Sequence, residues 1–350
     1  MNKEINAMLD MMLRPAFSVV DGSIEKCNLS AHSLGLEEHT PLEPLLLTGR
    51  EEWQSLETGC LYLQLSLPGG AQGAAVIRMA DVLIFILDQE GGELQALSLA
   101  AKELRSPLND LLAISGSLLP NTSANADPKL RDLLARMSKG LYQMQRTISN
   151  MSDARHASEM SCQQMRNISQ VFDDIFEKAA AYLTLCGVTL HFQGLPQDVY
   201  GLIDMDQMER SVLNMLSNAT KFLPREGQIH ASLIRRGSTL RLSIQDNGPG
   251  IGEDILGSLF QRYLRQPGIE DGRFGLGLGM VLIRAAAASH GGTVLVDSPK
   301  EGGTRVMLTM KLRQDTTGVQ SPRVGTLGGR DQALIELSQF LPPSVYEKEL

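Results

Sequence analysis

Two asparagines at helical spacing are the first residues whose types suggest chemistry. Asn214 and Asn218 lie four positions apart in a segment with helical character, so their side chains project from the same face. A neutral carboxamide oxygen is a suitable Mg²⁺ ligand where phosphates and waters complete the octahedron. Taken alone, this spacing is as typical of a polar helix surface as of a site. Because Ala-Thr-Lys221-Phe222 and a second nucleotide motif follow, we favour a site.

A carboxylate followed by glycines forms that second motif. Asp246 ends a segment of alternating, strand-like character and opens Asp246-Asn-Gly-Pro-Gly250. Its carboxylate can accept a hydrogen bond from the amino group of adenine, a donor that guanine lacks at that position. Gly248 and Gly250 permit backbone conformations and a close approach that a side chain would block. A lone Asp-x-Gly-x-Gly is a common turn, and its place in an ordered series makes it specific.

The third motif is a run of alternating glycines. Gly275, Gly277 and Gly279 directly precede residues 280–288, which are good helix formers. Glycines at the start of a helix expose backbone N–H groups, and with the helix dipole these form a site for an anion such as the phosphates of ATP. Together the motifs predict a nucleotide site.

The motifs, in this order, resemble the N, G1 and G2 boxes of the ATP-binding domain of sensor histidine kinases. The resemblance implies ATP and Mg²⁺ as cofactors. It further implies that Asn218 is the magnesium ligand, with Asn214 beside it, that Lys221 reaches the phosphates, and that Phe222 lies against the adenine ring.

A candidate lid lies between the G1 and G2 boxes, where Leu259-Phe-Gln-Arg-Tyr-Leu-Arg265 is similar to the F box of this family. A loop between two nucleotide motifs is suited to close on ATP and exclude water. Phe260 would anchor this lid, and Arg262 and Arg265 would neutralise charge on the γ-phosphate. The alternative is a surface helix that carries basic residues.

An upstream segment, Ala101-Lys-Glu-Leu-Arg-Ser-Pro-Leu108, resembles the phosphoacceptor box of the family, but Lys102 stands in place of the histidine. In the family a neutral imidazole attacks the γ-phosphate, assisted by the following acidic residue, which is Glu103 here. A lysine is almost always protonated at neutral pH and then has no lone pair for the attack. We therefore favour a solvated Lys102 over a phosphorylated one. His156, further along the chain, is the best of the remaining candidates.

The same box retains the residues of a second activity. Phosphatase activity in this family uses an acidic residue and a Thr or Asn three positions later to orient water. Glu103 and Ser106 have this spacing, and Ser106 offers the same hydroxyl. An ATP-binding pseudokinase, acting as a response-regulator phosphatase or a signalling scaffold, is therefore the alternative to an active kinase.

The region before this box, residues 1–90, predicts a small antiparallel sheet. A short amphipathic helix is followed by a strand, a turn at Asp21-Gly22 and a second strand. Apolar runs at residues 61–67 and 82–87 predict further strands. The region resembles a PAS-type sensor module, and a small α+β domain used only for dimer contacts fits equally well.

Two segments in residues 91–160 have apolar stripes at alternating spacings of four and three. The first comprises Leu97, Ala101, Leu104, Leu108, Leu111, Ser115 and Leu118, and the second Leu130, Leu134, Met137, Leu141, Met144, Ile148 and Met151. This spacing predicts a helical hairpin with coiled-coil-like packing. Its stripes are best buried against a second copy, so we expect a homodimeric four-helix bundle.

Helical and strand patterns alternate over residues 166–313, which predicts helices on one face of a mixed sheet. By resemblance this is the Bergerat-type α/β sandwich that binds ATP. Residues 314–350 begin as a polar linker and end in a short apolar helix at residues 332–341, which we interpret as a docking or packing element. The fold class expected for the whole chain is α+β.

Composition narrows the function classes. A net charge of −8 argues against a nucleic-acid surface, which needs clustered Lys and Arg. Four widely spaced cysteines indicate neither a zinc site nor a disulfide scaffold, and favour a reducing compartment. The longest apolar run is far shorter than the ~20 residues of a membrane helix, so we expect a cytoplasmic protein without membrane insertion.

The sequence therefore predicts a two-component sensor histidine kinase that directs phosphotransfer towards a response regulator. ATPases of the gyrase, mismatch-repair or chaperone type share the nucleotide fold, but they would need a large transducer domain after residue 313. An anti-sigma kinase would lack the helical hairpin.

Overall fold

The computed structural model describes residues 2–88, 92–121, 128–156, 162–224, 226–252, 278–313, 326–327 and 330–347. The fold is of the expected mixed α+β class. The helices are α1 (Asn2–Met11), α2 (Leu29–His32), α3 (Gly92–Asn121), α4 (Pro128–His156), α5 (Ile168–Thr184), α6 (Met205–Thr220), α7 (Leu278–Ser289) and α8 (Gln332–Glu336). The strands are β1 (Ala16–Val20), β2 (Ser23–Cys27), β3 (Cys60–Leu67), β4 (Gly70–Met79), β5 (Val82–Leu87), β6 (Gln164–Asn167), β7 (Thr189–Gln193), β8 (Tyr200–Ile203), β9 (Gln228–Arg236), β10 (Thr239–Asp246), β11 (Val294–Asp297), β12 (Arg305–Lys311), β13 (Thr326–Leu327) and β14 (Arg330–Asp331).

The N-terminal region forms an antiparallel sheet in the order β2-β1-β5-β4-β3. Asp21 and Gly22 have positive φ angles of 49° and 79°, which confirms the predicted turn between β1 and β2. Phe17 and Phe85 stack 4.8 Å apart in the core between this sheet and the insert that follows β2. Strand β4 is absent from the sequence prediction, because its glycines and alanines give it little strand character.

Helices α3 and α4 pack together as the predicted hairpin. Between them, Ser115 Oγ and Ser138 Oγ share a buried hydrogen bond of 2.9 Å, and Leu108 is buried as well. Leu104 and Leu111, which belong to the same apolar stripe as Leu108, remain 48% and 49% exposed. The hairpin within one chain therefore covers only part of this stripe. Among the described helices, none is long and apolar enough to cross a bilayer.

The C-terminal region contains the strand order β11-β12-β10-β9-β7, in which β7 and β9 are parallel. Burial alternates along β10, where Leu240, Leu242 and Ile244 are buried in one core with residues of α5, α6 and α7. These helices and strands lie close to their predicted positions. The small sheet of β6 and β8 was not predicted, because each strand has only four residues.

The two regions share one ten-stranded sheet, because β3 of the first pairs antiparallel with β11 of the second. In this pairing Cys60 lies opposite Val296 and Tyr62 opposite Val294. Gly59 permits the approach, since a Cβ at that position would collide with the Val296 carbonyl oxygen. This junction was not predicted from the sequence.

The last described residues, 331–347, are named here the C-terminal segment. The predicted helix at residues 332–341 is shorter in the structure, where α8 ends at Glu336 and is followed by turns and a 3₁₀ helix, Pro343–Glu347. The segment packs against α4, α5 and α6.

Candidate nucleotide-binding site

Helix α6 presents the two asparagines of the N box. The helix is amphipathic, and its N-cap residue Asp204 accepts a hydrogen bond from the Gln207 backbone N–H at 3.1 Å. Asn214 is 1% exposed and Asn218, one turn later, is half-buried. Since the two residues lie on one face, both asparagines meet the start of α7.

The glycine at the start of α7 packs directly on these asparagines. A Cβ at Gly279 would lie 2.9 Å from Asn214 Oδ1 and 3.8 Å from Asn218 Nδ2. Asn214 Nδ2 donates to the Arg210 carbonyl oxygen at 2.9 Å, whereas Asn214 Oδ1 finds no hydrogen-bond partner among the described residues. A buried acceptor without a partner costs about 1–3 kcal/mol, so a ligand or its hydration shell fits this position.

Lys221 lies at the end of α6 beside the second asparagine. Its Nζ donates to Asn218 Oδ1 at 2.8 Å, so the oxygen that the sequence assigns to Mg²⁺ already faces a cation. Burial, with a smaller contribution from the charge of Arg146, lowers the pKa of Lys221 to about 8. A bound phosphate would favour the charged form of this lysine.

Asp246 ends β10 and is 8% exposed. Its Oδ1 accepts hydrogen bonds from the backbone N–H groups of Gly248, at 2.8 Å, and Thr304, at 3.1 Å. Burial raises the pKa of Asp246, and these two donors oppose the rise. A Cβ at Gly248 would lie 2.8 Å from Asp246 Oδ1 and 3.3 Å from the Phe222 carbonyl oxygen, so the G1 box packs against the end of the N box.

Residues 203–314 match the family described as histidine kinase-, DNA gyrase B- and HSP90-like ATPase. The chain is 28% identical over 221 residues to the adaptive-response sensory kinase SasA of Synechococcus sp. (strain CC9311), a match that covers 62% of this chain and 56% of that kinase. SasA of Crocosphaera subtropica is 31% identical over 222 residues, covering 59% of this chain and 56% of that kinase. The chain is a relative of the sensor histidine kinases.

Two further proteins are similar to the chain, one in sequence and one in fold. Histidine protein kinase DivJ of Caulobacter vibrioides is 28% identical over 226 residues, which cover 63% of this chain and 37% of DivJ. The structure of full-length ShkA in complex with AMPPNP superposes with a TM-score of 0.51 at 20% identity, covering 64% of this chain and 47% of ShkA, and shows a shared fold. The chain spans about half the length of the SasA proteins, and less of DivJ.

Two residues that contact Asp246, Gly303 and Thr304, were not predicted from the sequence. Gly303, with a φ of 80°, packs so closely on β10 that a Cβ would collide with the Asp246 carbonyl oxygen. Thr304 then donates its backbone N–H to the Asp246 side chain. The sequence pattern that could have indicated Gly303 and Thr304 is the pair Gly302-Gly303 just before a strand, because paired glycines there indicate a close approach of two backbone segments.

Gly250 and Phe222 are the remaining predicted site residues within the described part of the chain. Gly250 has a φ of 81°, as the G1 turn requires, and Phe222 is half-exposed beside that turn. Five predicted residues lie outside the described part of the chain, namely Phe260, Arg262, Arg265, Gly275 and Gly277.

The predicted acceptor box of this chain lies on the protein surface. Lys102, Glu103 and Ser106 are all exposed on α3, between the buried residues Ala101 and Leu108. Lys102 is therefore exposed to solvent in the single chain.

Proposed function

We propose that this chain is a cytoplasmic two-component sensor histidine kinase that uses ATP with Mg²⁺ and directs phosphotransfer towards a response regulator. The observation that supports the proposal best is the convergence of the three boxes. Gly279 packs on Asn214, and Gly248 lies beside the Phe222 carbonyl. A cytoplasmic location supplies the ATP that such a site requires.

Asp246 and Phe222 form the proposed adenine end of the site. Asp246 Oδ1 is held by two backbone donors, which fix the carboxylate as an acceptor for the adenine amino group. The Phe222 carbonyl oxygen lies beside Gly248 and its side chain is half-exposed, so the ring is suited to lie against the base. Gly248 leaves the space beside the Asp246 carboxylate free of a side chain, and Gly250 adopts the positive φ of the turn.

Asn218 and Lys221 form the proposed phosphate end. Asn218 Oδ1 would bind Mg²⁺, with the buried Asn214 oxygen beside it, and Lys221 would turn from Asn218 to the phosphates. Bound Mg²⁺ would neutralise part of the phosphate charge. The backbone N–H groups that begin α7 would hold the phosphates together with Gly275, Gly277 and Gly279, and Phe260, Arg262 and Arg265 would form the lid.

Homodimerisation is part of the proposal, because the hairpin exposes apolar residues at its stripe positions. Leu104, Leu111, Met137 and Met144 are each more than two-fifths exposed on α3 and α4. A second copy of this hairpin would cover them in a four-helix bundle. The N-terminal sheet with its helical insert is proposed as the PAS-like sensor of that dimer.

The acceptor is the least ordinary part of the proposed kinase. The relatives described above carry kinase names, so we favour the kinase over the pseudokinase. The exposed pair Glu103 and Ser106 is nevertheless accessible to a response regulator, as phosphatase chemistry would require.

Calorimetry with ATP and Mg²⁺ tests the nucleotide site. Asp246→Asn and Asn218→Ala should each weaken binding tenfold or more, on the order of 1.4 kcal/mol. Thr239→Ser, at the far end of β10, is a matched control that should keep the wild-type affinity. Unchanged affinity in both site variants would exclude the assignment.

A further inference from the structure

The C-terminal segment is part of the protein core. Six of its apolar side chains are almost completely buried, namely Ala333, Leu334, Ile335, Leu337, Leu341 and Tyr346. The Tyr346 ring lies 4.9 Å from that of Tyr142 on α4, and its hydroxyl donates to the Leu334 carbonyl oxygen at 3.1 Å. The segment is therefore fixed to the second helix of the hairpin.

The same segment is also fixed to the ATPase domain. Asp331 accepts from the Ala333 backbone N–H at 2.8 Å and so begins α8. The Asp331 carboxylate also accepts from Lys178 Nζ at 2.8 Å and from the Tyr182 hydroxyl at 2.9 Å, both on α5. The segment thus connects the hairpin to the nucleotide-binding domain.

Arg146 of α4 lies where these elements meet, and its side chain is only 14% exposed. Its Nε donates to Glu336 Oε2 at 3.0 Å and its Nη1 to Gln339 Oε1 at 3.4 Å, both in the C-terminal segment. Its Nη2 donates to Ser217 Oγ at 2.8 Å. Ser217 directly precedes Asn218, so one guanidinium group joins the hairpin, the C-terminal segment and the N box.

Glu336 is the anion that holds this guanidinium group. It is fully buried, and its second oxygen accepts from Gln332 Nε2 at 3.1 Å. Burial raises the pKa of Glu336, while Arg146 and Arg210 oppose the rise. Removing one partner of a buried ion pair leaves an uncompensated charge, so each residue depends on the other.

We propose that Arg146, held by Glu336 of the C-terminal segment, is a positioning residue for the nucleotide site. It fixes Ser217 and hence the orientation of Asn218 and Lys221, and it places a positive charge near that end of the site. The C-terminal segment thereby sets the affinity for ATP. This inference rests on the proposed function of the site.

The test is ATP–Mg²⁺ calorimetry on the full chain at pH 7, together with amide hydrogen exchange of the N box. Arg146→Met should weaken binding on the order of fivefold. It should also speed exchange at residues 214–221, because the hydrogen bond to Ser217 is lost. Arg146→Lys, which keeps the positive charge, should recover part of the affinity.

A control on the same helix separates this effect from general damage to α4. Arg136 forms an exposed ion pair with Asp132, so Arg136→Met should leave both affinity and exchange unchanged. A purely structural role for Arg146 would lower the melting temperature of Arg146→Met and Arg146→Lys alike, and the lysine would recover no affinity. Wild-type affinity in Arg146→Met, with wild-type exchange at residues 214–221, would overturn the proposal.

Glu336→Gln keeps the side-chain shape and removes only the charge. It should speed amide hydrogen exchange both at residues 332–341 and at residues 214–221 of the N box. Faster exchange confined to residues 332–341, with unchanged ATP affinity, would mean that the segment contributes only local packing. This result would overturn the proposal.

The outcomes also separate this inference from the proposed function. If neither the wild type nor Asp246→Asn binds ATP, the proposed function fails, and exchange at residues 214–221 in Arg146→Met still decides the positioning role. If the wild type binds ATP and Asp246→Asn does not, unchanged ATP affinity in the Arg146 and Glu336 variants excludes the positioning role alone.

Discussion

The proposed nucleotide site differs from the acceptor surface, which is the face of α3 that carries Lys102, Glu103 and Ser106. The two differ in how the protein surrounds their polar groups. Asn214 and Asp246 are buried, and close backbone contacts from glycines fix their positions. Lys102, Glu103 and Ser106 stand on an exposed helix face. Burial makes hydrogen bonds strong and specific, whereas exposed groups exchange freely with water. We therefore expect that one chain supplies all the groups needed for nucleotide binding. Chemistry at the exposed acceptor residues instead requires contact with a second protein surface.

The largest change should come from restoring a histidine on the acceptor surface. Lys102→His should create or raise acid-labile autophosphorylation, because a neutral imidazole has the lone pair that an ammonium group lacks. The measurement is incorporation of label from γ-labelled ATP, before and after acid treatment, with Lys102→Ala as the control.

Three other outcomes would change the assignment of the phosphoacceptor. Strong wild-type labelling that disappears in Lys102→Ala would make the lysine itself the acceptor. Labelling lost only in His156→Ala would relocate the acceptor. If neither wild type nor Lys102→His is labelled while ATP binds, the ATPase domain is regulatory, and loss of regulator dephosphorylation in Ser106→Ala becomes decisive.

A second prediction concerns the exposed stripe beside the acceptor box. Leu104→Glu should convert a dimer to monomer, because a charge would be buried in the apolar seam. Light scattering measures the mass, and circular dichroism the helix content. Lys102→Glu, which places the same carboxylate at a neighbouring exposed position, should remain dimeric. A dimeric Leu104→Glu protein with normal helicity would contradict the four-helix bundle.

The smallest effect concerns pH at the nucleotide site. The pKa of Lys221 is lowered to about 8, so this lysine loses its charge as pH rises through that value. ATP affinity should therefore fall between pH 7 and 9.5, by roughly threefold to tenfold, as one phosphate contact is lost. Lys221→Arg should bind with a flat profile across this range.

Lys221→Gln reports any titration of the nucleotide itself. Its profile should be flat, with affinity close to that of the wild type at high pH. If wild type and Lys221→Gln declined in parallel, Lys221 would have no phosphate contact.

The predictable parts of the molecule are those encoded by nearby residues. Helix α6 and strand β10 follow from local periodicity. Their motifs carry the prediction of the nucleotide site. The role of the C-terminal segment was not predictable, because Arg146 and Glu336 are 190 positions apart and neither belongs to a motif. Strand β4 was not predicted, because its glycines and alanines have low strand propensity and its pairing with β3 and β5 stabilises it as a strand. The proposed division of the chain into sensor, hairpin and ATPase domains stays a prediction.

The pairing of β3 with β11 also bears on solubility. Each of these strands would otherwise present a row of unpaired backbone groups, and exposed strand edges promote aggregation. In the intact chain each edge protects the other. An isolated N-terminal sheet would expose the β3 edge and an isolated ATPase domain the β11 edge, so separate production of either half should favour aggregates that the full-length chain avoids.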